Sequence, residues 1–294
     1  MRLYFPYDSK ISRAMERIRR AFIAYSPPGT LFVDNMETDV VHCLNWVGQN
    51  PREHTARCEI VQGVPTLPLG SKYIVFVHVG NPHYRDLDSY YQRILAGALL
   101  VVTYDREILG YEGSNVLETP WGFEPTTFYR EPRARGYKIL ATGYVAESEA
   151  IDACFDACLR LQAKLCHVGG LLRAIPRHPC YDRYEGISDS ELRDLYNSSE
   201  YVSGMRREGG FELPVLEGYA CGCRPIVFEQ PTMRKWYNDF AIFVPNLPRG
   251  ELVKILVDVL RQPTNLNPRP DALEKFHWKQ IIARVWISLL EGSR

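Results

Sequence analysis

The sequence predicts an α/β protein made of two doubly wound domains, each built on a parallel sheet. Three observations carry that expectation. Short apolar runs of strand length alternate with segments whose apolar residues recur at helical spacing, which is the pattern of strand–helix–strand crossover units. The pattern occurs twice, on either side of an arginine- and proline-rich break at residues 130–136. The length of 294 residues and the hydrophobic fraction of 46% suit two compact domains with ordinary cores.

In the first half, strands are expected at residues 2–5, 31–33, 40–44, 73–79, 99–103 and 116–118. A helix over 9–25 follows the first strand, because Ile11, Met15, Ile18, Phe22 and Tyr25 recur on one face. Lys10, Arg13, Arg17 and Arg20 lie elsewhere around it. That distribution suits either an anionic lipid surface or the wet face of an ordinary Rossmann-type helix. After the break come a strand at 139–142, a helix near 149–163 and a strand at 165–168. A helix near 189–196 follows, opened by the capping-box residues Ser188 and Glu191. A strand at 201–203, a helix over about 214–221 and a strand at 225–228 complete the series. The expected domains are 1–133 and 134–275, with 276–294 a terminal helix packing back on the first. Ligands of doubly wound sheets bind beyond the carboxyl ends of the strands, which puts the expected site in a cleft between two facing domains.

The 35 basic residues balance the 35 acidic ones, so no global charge argues for nucleic acid as a partner. Residues 1–10 lack the apolar core of a signal peptide, and no apolar run approaches bilayer-spanning length. The expectation is a soluble, cytoplasmic protein whose membrane contact, if any, is peripheral and made through 9–25. The 8 cysteines form no CxxC pair, and Cys154 and Cys158 share an apolar helix face with Ile151, Phe155 and Leu159. Buried free thiols in a reducing compartment are expected, with no metal site and no cofactor.

The most informative stretch is 207–222, where Gly209 and Gly210 precede a helix. Pro214 suits a first helical turn, whose N–H groups lack intrahelical partners, and Gly222 is a natural left-handed stop. The N-terminus of this helix presents N–H groups and a partial positive charge toward Gly209, Gly210, Phe211 and Glu212, which favours phosphate. Glu217, one turn in, offers paired acceptor oxygens to a vicinal diol such as a ribose. Elsewhere, His78 ends an apolar run just before a Gly-Asn-Pro turn, at a ligand-facing strand end. Its alternative reading is a buried histidine bonded to a backbone carbonyl.

Phe211, Leu213, Pro214, Leu216, Glu217, Ala220, Gly222, Pro225 and Ile226 fall on a known signature. On these residues the chain resembles the retaining GT-B glycosyltransferases, in particular glycosyltransferase family 4. Residues 138–163 are similar to the strand, glycine turn and helix that open that family's C-terminal domain, and 120–128 and 276–278 also match family stretches. The resemblance implies a GT-B fold and a metal-independent, retaining transfer of a hexose from a nucleoside diphosphate sugar to an acceptor hydroxyl. It leaves the acceptor open among a glycan, a lipid, a protein and a modified nucleic-acid base, and GDP-mannose is favoured slightly over UDP-hexoses on family frequency alone. By the same resemblance His78 touches the donor sugar near its reacting carbon, Glu208 is the first signature glutamate and Glu217 holds the ribose. Gly143, Tyr144, Gly209, Gly210, Phe211, Glu212 and Leu213 line the donor.

The chain departs from the family in three places. Eight residues lie between Glu208 and Glu217, one more than the family spacing, so Glu208 reaches the sugar only if Gly209 and Gly210 form a bulge. Glu212 stands where the family commonly has glycine. The family's arginine and lysine that reach the diphosphate are replaced by Tyr144 and, approximately, Glu149. Arg206 and Arg207, just before the glycine loop, are the expected substitutes, because arginine binds phosphate in bidentate fashion. These departures motivate the alternative of a degenerate GT-B module that binds nucleotide sugar without turnover. A nicotinamide-dependent oxidoreductase is disfavoured, since no G-x-G-x-x-G follows a strand.

Overall fold

The computed structural model describes residues 1–5, 13–33, 41–46, 72–77, 92, 95–170, 175, 177–207, 210–264 and 268–292. The chain divides into two compact units, Met1–Trp121 with Trp278–Arg294, and Gly122–His277. Among the described residues, each carries a six-stranded sheet whose strand pairs are all parallel.

The first unit opens with β1 (Arg2–Tyr4), α1 (Arg13–Tyr25), β2 (Leu31–Val33), β3 (Val41–Trp46) and β4 (Lys72–Val77). It continues through β5 (Leu100–Thr103), α2 (Arg106–Leu109) and β6 (Val116–Glu118), with strand order β2-β1-β3-β4-β5-β6. Residues 74–77 and 100–103 are buried throughout, because strands covered on both faces need no polar alternation. α1 lays Ile18 and Phe22 into this core, with Phe22 edge-on to Phe5 at 5.5 Å and to Phe76 at 5.7 Å. Ile18 and Phe22, described members of that apolar stripe, therefore face protein.

The second unit runs β7 (Tyr137–Thr142), α3 (Ile151–Leu161), β8 (Leu165–Val168), β9 (Tyr181–Tyr184), α4 (Asp189–Asn197) and β10 (Ser199–Gly204). Then come α5 (Leu213–Ala220), β11 (Arg224–Phe228), α6 (Pro231–Tyr237), β12 (Ile242–Val244), α7 (Arg249–Arg261) and α8 (Pro270–Glu274). The strand order β12-β11-β10-β7-β8-β9 reverses direction between β7 and β10. Cys154 and Cys158 of α3 sit in the core with Ile139, Leu165, Leu252 and Leu256. Burial pushes their thiols up, that of Cys158 to about 12, so they behave as small apolar groups. The cysteines among the described residues are free, and those residues hold no metal-binding group of three His, Cys, Asp or Glu side chains. Among them no helix is long and apolar enough to cross a membrane.

Local chemistry sets the ends of the helices. Ser188 and Glu191 form the reciprocal capping box at the start of α4. α5 begins one residue ahead of Pro214, and Gly222, at φ +91°, is the left-handed stop just past its end. The stretch 130–136 is bound to the second unit: Asn197 Oδ1 accepts from Glu131 N at 2.7 Å and its Nδ2 donates to Tyr129 O, while Arg133 pairs with Asp194 at 2.9 Å. The units accordingly divide ahead of the break, at Trp121/Gly122. The final helix, α9 (Trp278–Gly292), belongs to the first unit, where it packs on α1 and β5 and Trp286 Nε1 donates to Ser26 Oγ at 3.0 Å.

α5 lies close to the sheet because Gly218 has no side chain. A Cβ at Gly218 would come within 2.7 Å of Val202 Cγ1 on β10, and Val202 is β-branched and fully buried. Gly218→Ala gains about 0.5–1 kcal/mol of helix propensity but overpacks a stiff contact costing about 1–3 kcal/mol. A net loss of stability is expected, read as a lower midpoint in urea unfolding; an unchanged or higher midpoint would show that this helix can move off the strand freely.

Candidate functional site

Doubly wound sheets hold ligands beyond the carboxyl ends of the strands where the order reverses, here β7 and β10. After β7 the chain turns at Gly143, whose φ of +130° favours glycine and whose missing Cβ leaves room for the Glu149 carboxylate. Glu149 Oε2 accepts from Tyr144 N at 2.6 Å and from Val145 N at 2.8 Å. A helical turn closed by Glu149 N and Val145 O brings this side chain back, and Ala150, left-handed at φ +51°, separates the turn from α3. A left-handed alanine costs roughly 1–2 kcal/mol. The carboxylate is thus held against two consecutive strand-end amides, with Glu149 only 7% exposed.

The amides are aimed from behind by His167 of β8. His167 is fully buried, with Nε2 3.0 Å from Gly143 O and Nδ1 2.8 Å from Tyr181 Oη. A carbonyl only accepts, so Nε2 carries the proton and Nδ1 accepts from the tyrosine; burial lowers the pKa of the ring and keeps it neutral. In a trans peptide the C=O and the following N–H point in opposite directions. Tying Gly143 O to His167 therefore turns Tyr144 N–H toward Glu149.

The second wall is the loop after β10. Arg206 Nη2 donates to Glu149 Oε1 at 2.5 Å, and Nη1 lies 3.6 Å from Glu212 Oε1. Arg207 N donates to Ser148 O at 2.8 Å, and Gln230 Nε2 donates to Arg206 O and Arg207 O at 3.1 and 3.2 Å. Tyr237 Oη donates to Glu212 O at 3.2 Å. Phe211 packs into an aromatic group with Trp236, Tyr237 and Phe276 at 5.3–6.4 Å. Glu212 precedes α5 as its N-cap without a side-chain capping bond, and its Oε1 is buried without a hydrogen-bond donor. Burial raises the pKa of this carboxyl, Arg206 opposes the rise and Glu149 adds to it.

The structure thus brings Gly143, Tyr144, Arg206, Gly210 and Glu212 to one place, with a Cβ on Gly210 3.3 Å from Glu212 Oε1. It does not bring Arg207 there. That guanidinium donates to Glu147 O, Leu247 O and Asn246 Oδ1, and lies 5.3 Å over the Phe228 ring. Phe211 supports the loop through its ring contacts, and Leu213 is the first residue of α5. Glu217 is 1% exposed, and Tyr196 Oη donates to its Oε2 at 3.2 Å. His78, Glu208 and Gly209 lie outside the described residues. Sequence reasoning noted Glu149 only as a departure from a family pattern and missed its bond to the Tyr144 and Val145 amides, the aiming role of His167 and the anchoring by Gln230. A histidine inside the apolar run of β8 was the available signal for the second of these; nothing in the sequence marks the third.

No protein-family model matches the chain, and no curated protein matches it in sequence. Among solved structures it is similar to sucrose-phosphate synthase from Thermosynechococcus elongatus, at TM-score 0.69 and 12% identity over 100% of this chain and 99% of that one. Anabaena HepE, solved with UDP and glucose, gives TM-score 0.62 at 11% identity, covering 99% and 98%. TarM gives TM-score 0.60 at 11% identity over 87% of this chain, which spans 55% of TarM. The chain has the α/β fold of GT-B glycosyltransferases, with two Rossmann-like parallel-sheet units.

The role of His167 is measurable. His167→Phe leaves Gly143 O and the Tyr181 hydroxyl without this partner and is expected to cost about 1–3 kcal/mol in urea unfolding. The folded pKa of His167 is lowered, so the unfolded chain takes up the proton first and stability is lost as pH falls below about 6.5. His167→Gln, which keeps a donor and an acceptor, is expected to retain most of the stability at pH 8 and to flatten the loss between pH 6.5 and 5; an unaltered acid profile would assign that loss to other groups.

Proposed function

We propose that the chain is a glycosyltransferase that moves a hexose from a nucleoside diphosphate sugar to an acceptor hydroxyl. The observation that carries this reading is the anion seat at the β7–β10 reversal, where the Tyr144 and Val145 amides and Arg206 converge on the Glu149 carboxylate, with Arg206 also 3.6 Å from Glu212 at the N-cap of α5. Two strand-end amides, a guanidinium and a helix N-terminus are the donors a diphosphate needs. The similarity to GT-B structures, one of them containing UDP and glucose, supports the substrate class.

In the proposed reaction the bond from the anomeric carbon to the β-phosphate oxygen breaks, and a bond from that carbon to the acceptor oxygen forms on the same face. The acceptor proton passes to the departing phosphate. Charge grows on that phosphate as the bond breaks, so the amides and Arg206 contribute most at the transition state. These groups supply positive charge without a metal ion, and metal-independent, retaining transfer is part of the proposal. Glu217 takes the ribose diol. Because it is nearly enclosed and bonded to Tyr196, the ribose displaces whatever covers it. His78 and Glu208 keep the sugar-side roles that the family resemblance implies.

A second reading, binding without turnover, is favoured by one observation: two carboxylates, Glu149 and Glu212, share the Arg206 guanidinium. The two readings separate in a donor panel of GDP-mannose and UDP-hexoses, assayed for binding by calorimetry and for donor hydrolysis or transfer with EDTA present. Turnover with the anomeric configuration kept is the expected outcome; tight binding with no hydrolysis or transfer to any acceptor supports the second reading. Glu217→Ala is expected to weaken nucleoside diphosphates at least tenfold and to leave inorganic pyrophosphate unaffected, since only the former carry a ribose. Equal losses for both ligands would remove Glu217 from the ribose site.

A further inference from the structure

The anion seat already holds an anion, and that anion belongs to the chain. Glu149 presents one oxygen to the Tyr144 and Val145 amides and the other to Arg206, so it fills the positions that two phosphate oxygens would take. Its arrival is arranged by three independent features: the turn at residues 145–149, the left-handed Ala150 and the cleared space at Gly143. A diphosphate cannot share the same two N–H groups with a carboxylate, and the nearby positive side chain also faces Glu212. We infer that Glu149 is a built-in competitor for the donor diphosphate, leaving the amides of Tyr144 and Val145 when phosphate arrives and setting the affinity of the site. The inference rests on the reading of this seat as a diphosphate site and adds the residue that gates it.

A brace and a competitor differ in the sign of one effect. If Glu149 only braces the loop, its removal loosens the seat and weakens anion binding. If it competes, its removal strengthens binding, because charge-assisted bonds released from Glu149 become available to phosphate without prior displacement. Glu149→Gln keeps the shape and removes the charge, whereas Glu149→Ala empties the seat. Neither substitution removes the amides or Arg206.

Calorimetry with inorganic pyrophosphate, UDP and GDP on the full chain tests the inference. Both variants are expected to bind these ligands about 10- to 100-fold tighter than the wild type, with no gain for uridine or guanosine lacking phosphate. Unchanged or weaker pyrophosphate binding by folded variants overturns the inference, and leaves the proposed function standing wherever the wild type still binds nucleotide sugars. Tighter pyrophosphate binding with no affinity for any nucleoside diphosphate supports the competition and overturns the nucleotide-sugar reading instead. Carbodiimide labelling of the wild type needs no variant to fold. Glu149, nearly inaccessible in the free protein, is expected to become reactive at saturating pyrophosphate, and continued protection there overturns the inference.

Discussion

A buried carboxylate must find donors for its charge, and the second unit is arranged around how Glu149 finds them. Its partners come from two segments far apart in sequence: the amides of residues 144 and 145, and the guanidinium of Arg206 beyond β10. The ends of β7 and β10 are adjacent in the sheet, so this one side chain ties together the two loops at the point where strand order reverses. Gly143 has to be glycine to admit it, Ala150 has to be left-handed to return it, and His167 has to hold the Gly143 carbonyl for the amide to face it. Removing one partner from such a group leaves an under-compensated buried charge, so these contacts depend on one another.

The positive charge near the seat is divided by position. Arg206 and Arg207 are neighbours in sequence, yet the chain turns just past β10, where Arg206 N donates to Gly204 O at 3.1 Å, and their side chains part. Arg206 faces Glu149 and Glu212, whereas Arg207 turns to backbone carbonyls at residues 147 and 247 and stacks over Phe228. One guanidinium therefore serves two carboxylates. The raised pKa of Glu212 follows from burial reinforced by the nearby Glu149 charge. The loop that carries these groups is held by Gln230, Tyr237 and the ring of Phe211, so their positions are set by the core beneath them.

Much of the architecture is legible in the sequence because it follows from local pattern. Apolar runs at residues 74–77 and 100–103 mark strands buried on both faces, the Ser188–Glu191 pair marks the start of α4, and Gly222 marks the end of α5. β9 has no such signature: Tyr181–Tyr184 is an edge strand, partly exposed along its length, and neither alternates nor forms an apolar run. The break at 130–136 reads as a linker from composition, but Asn197 and Asp194 bind it to the second unit through contacts that no local pattern encodes. The site divides in the same way. Gly143 and the 206–217 segment carry local signals, whereas the encounter of Glu149 with Arg206 joins residues far apart in sequence and requires the sheet order to be known.

A seat that holds its own carboxylate bears differently on binding and on turnover. If the proposed donor displaces Glu149, the cost is the same whether the diphosphate is still bonded to sugar or is leaving it, so that cost is uniform and falls on affinity. In the proposed reaction the amides and Arg206 respond instead to the charge on the phosphate, which increases as the glycosidic bond breaks. Their stabilisation is therefore greater in the transition state than in the ground state, even when the net affinity for the donor is low. Extra negative charge at such a site, which from sequence alone argues for a degenerate pocket, is compatible with an enzyme that binds its donor weakly and transfers from it.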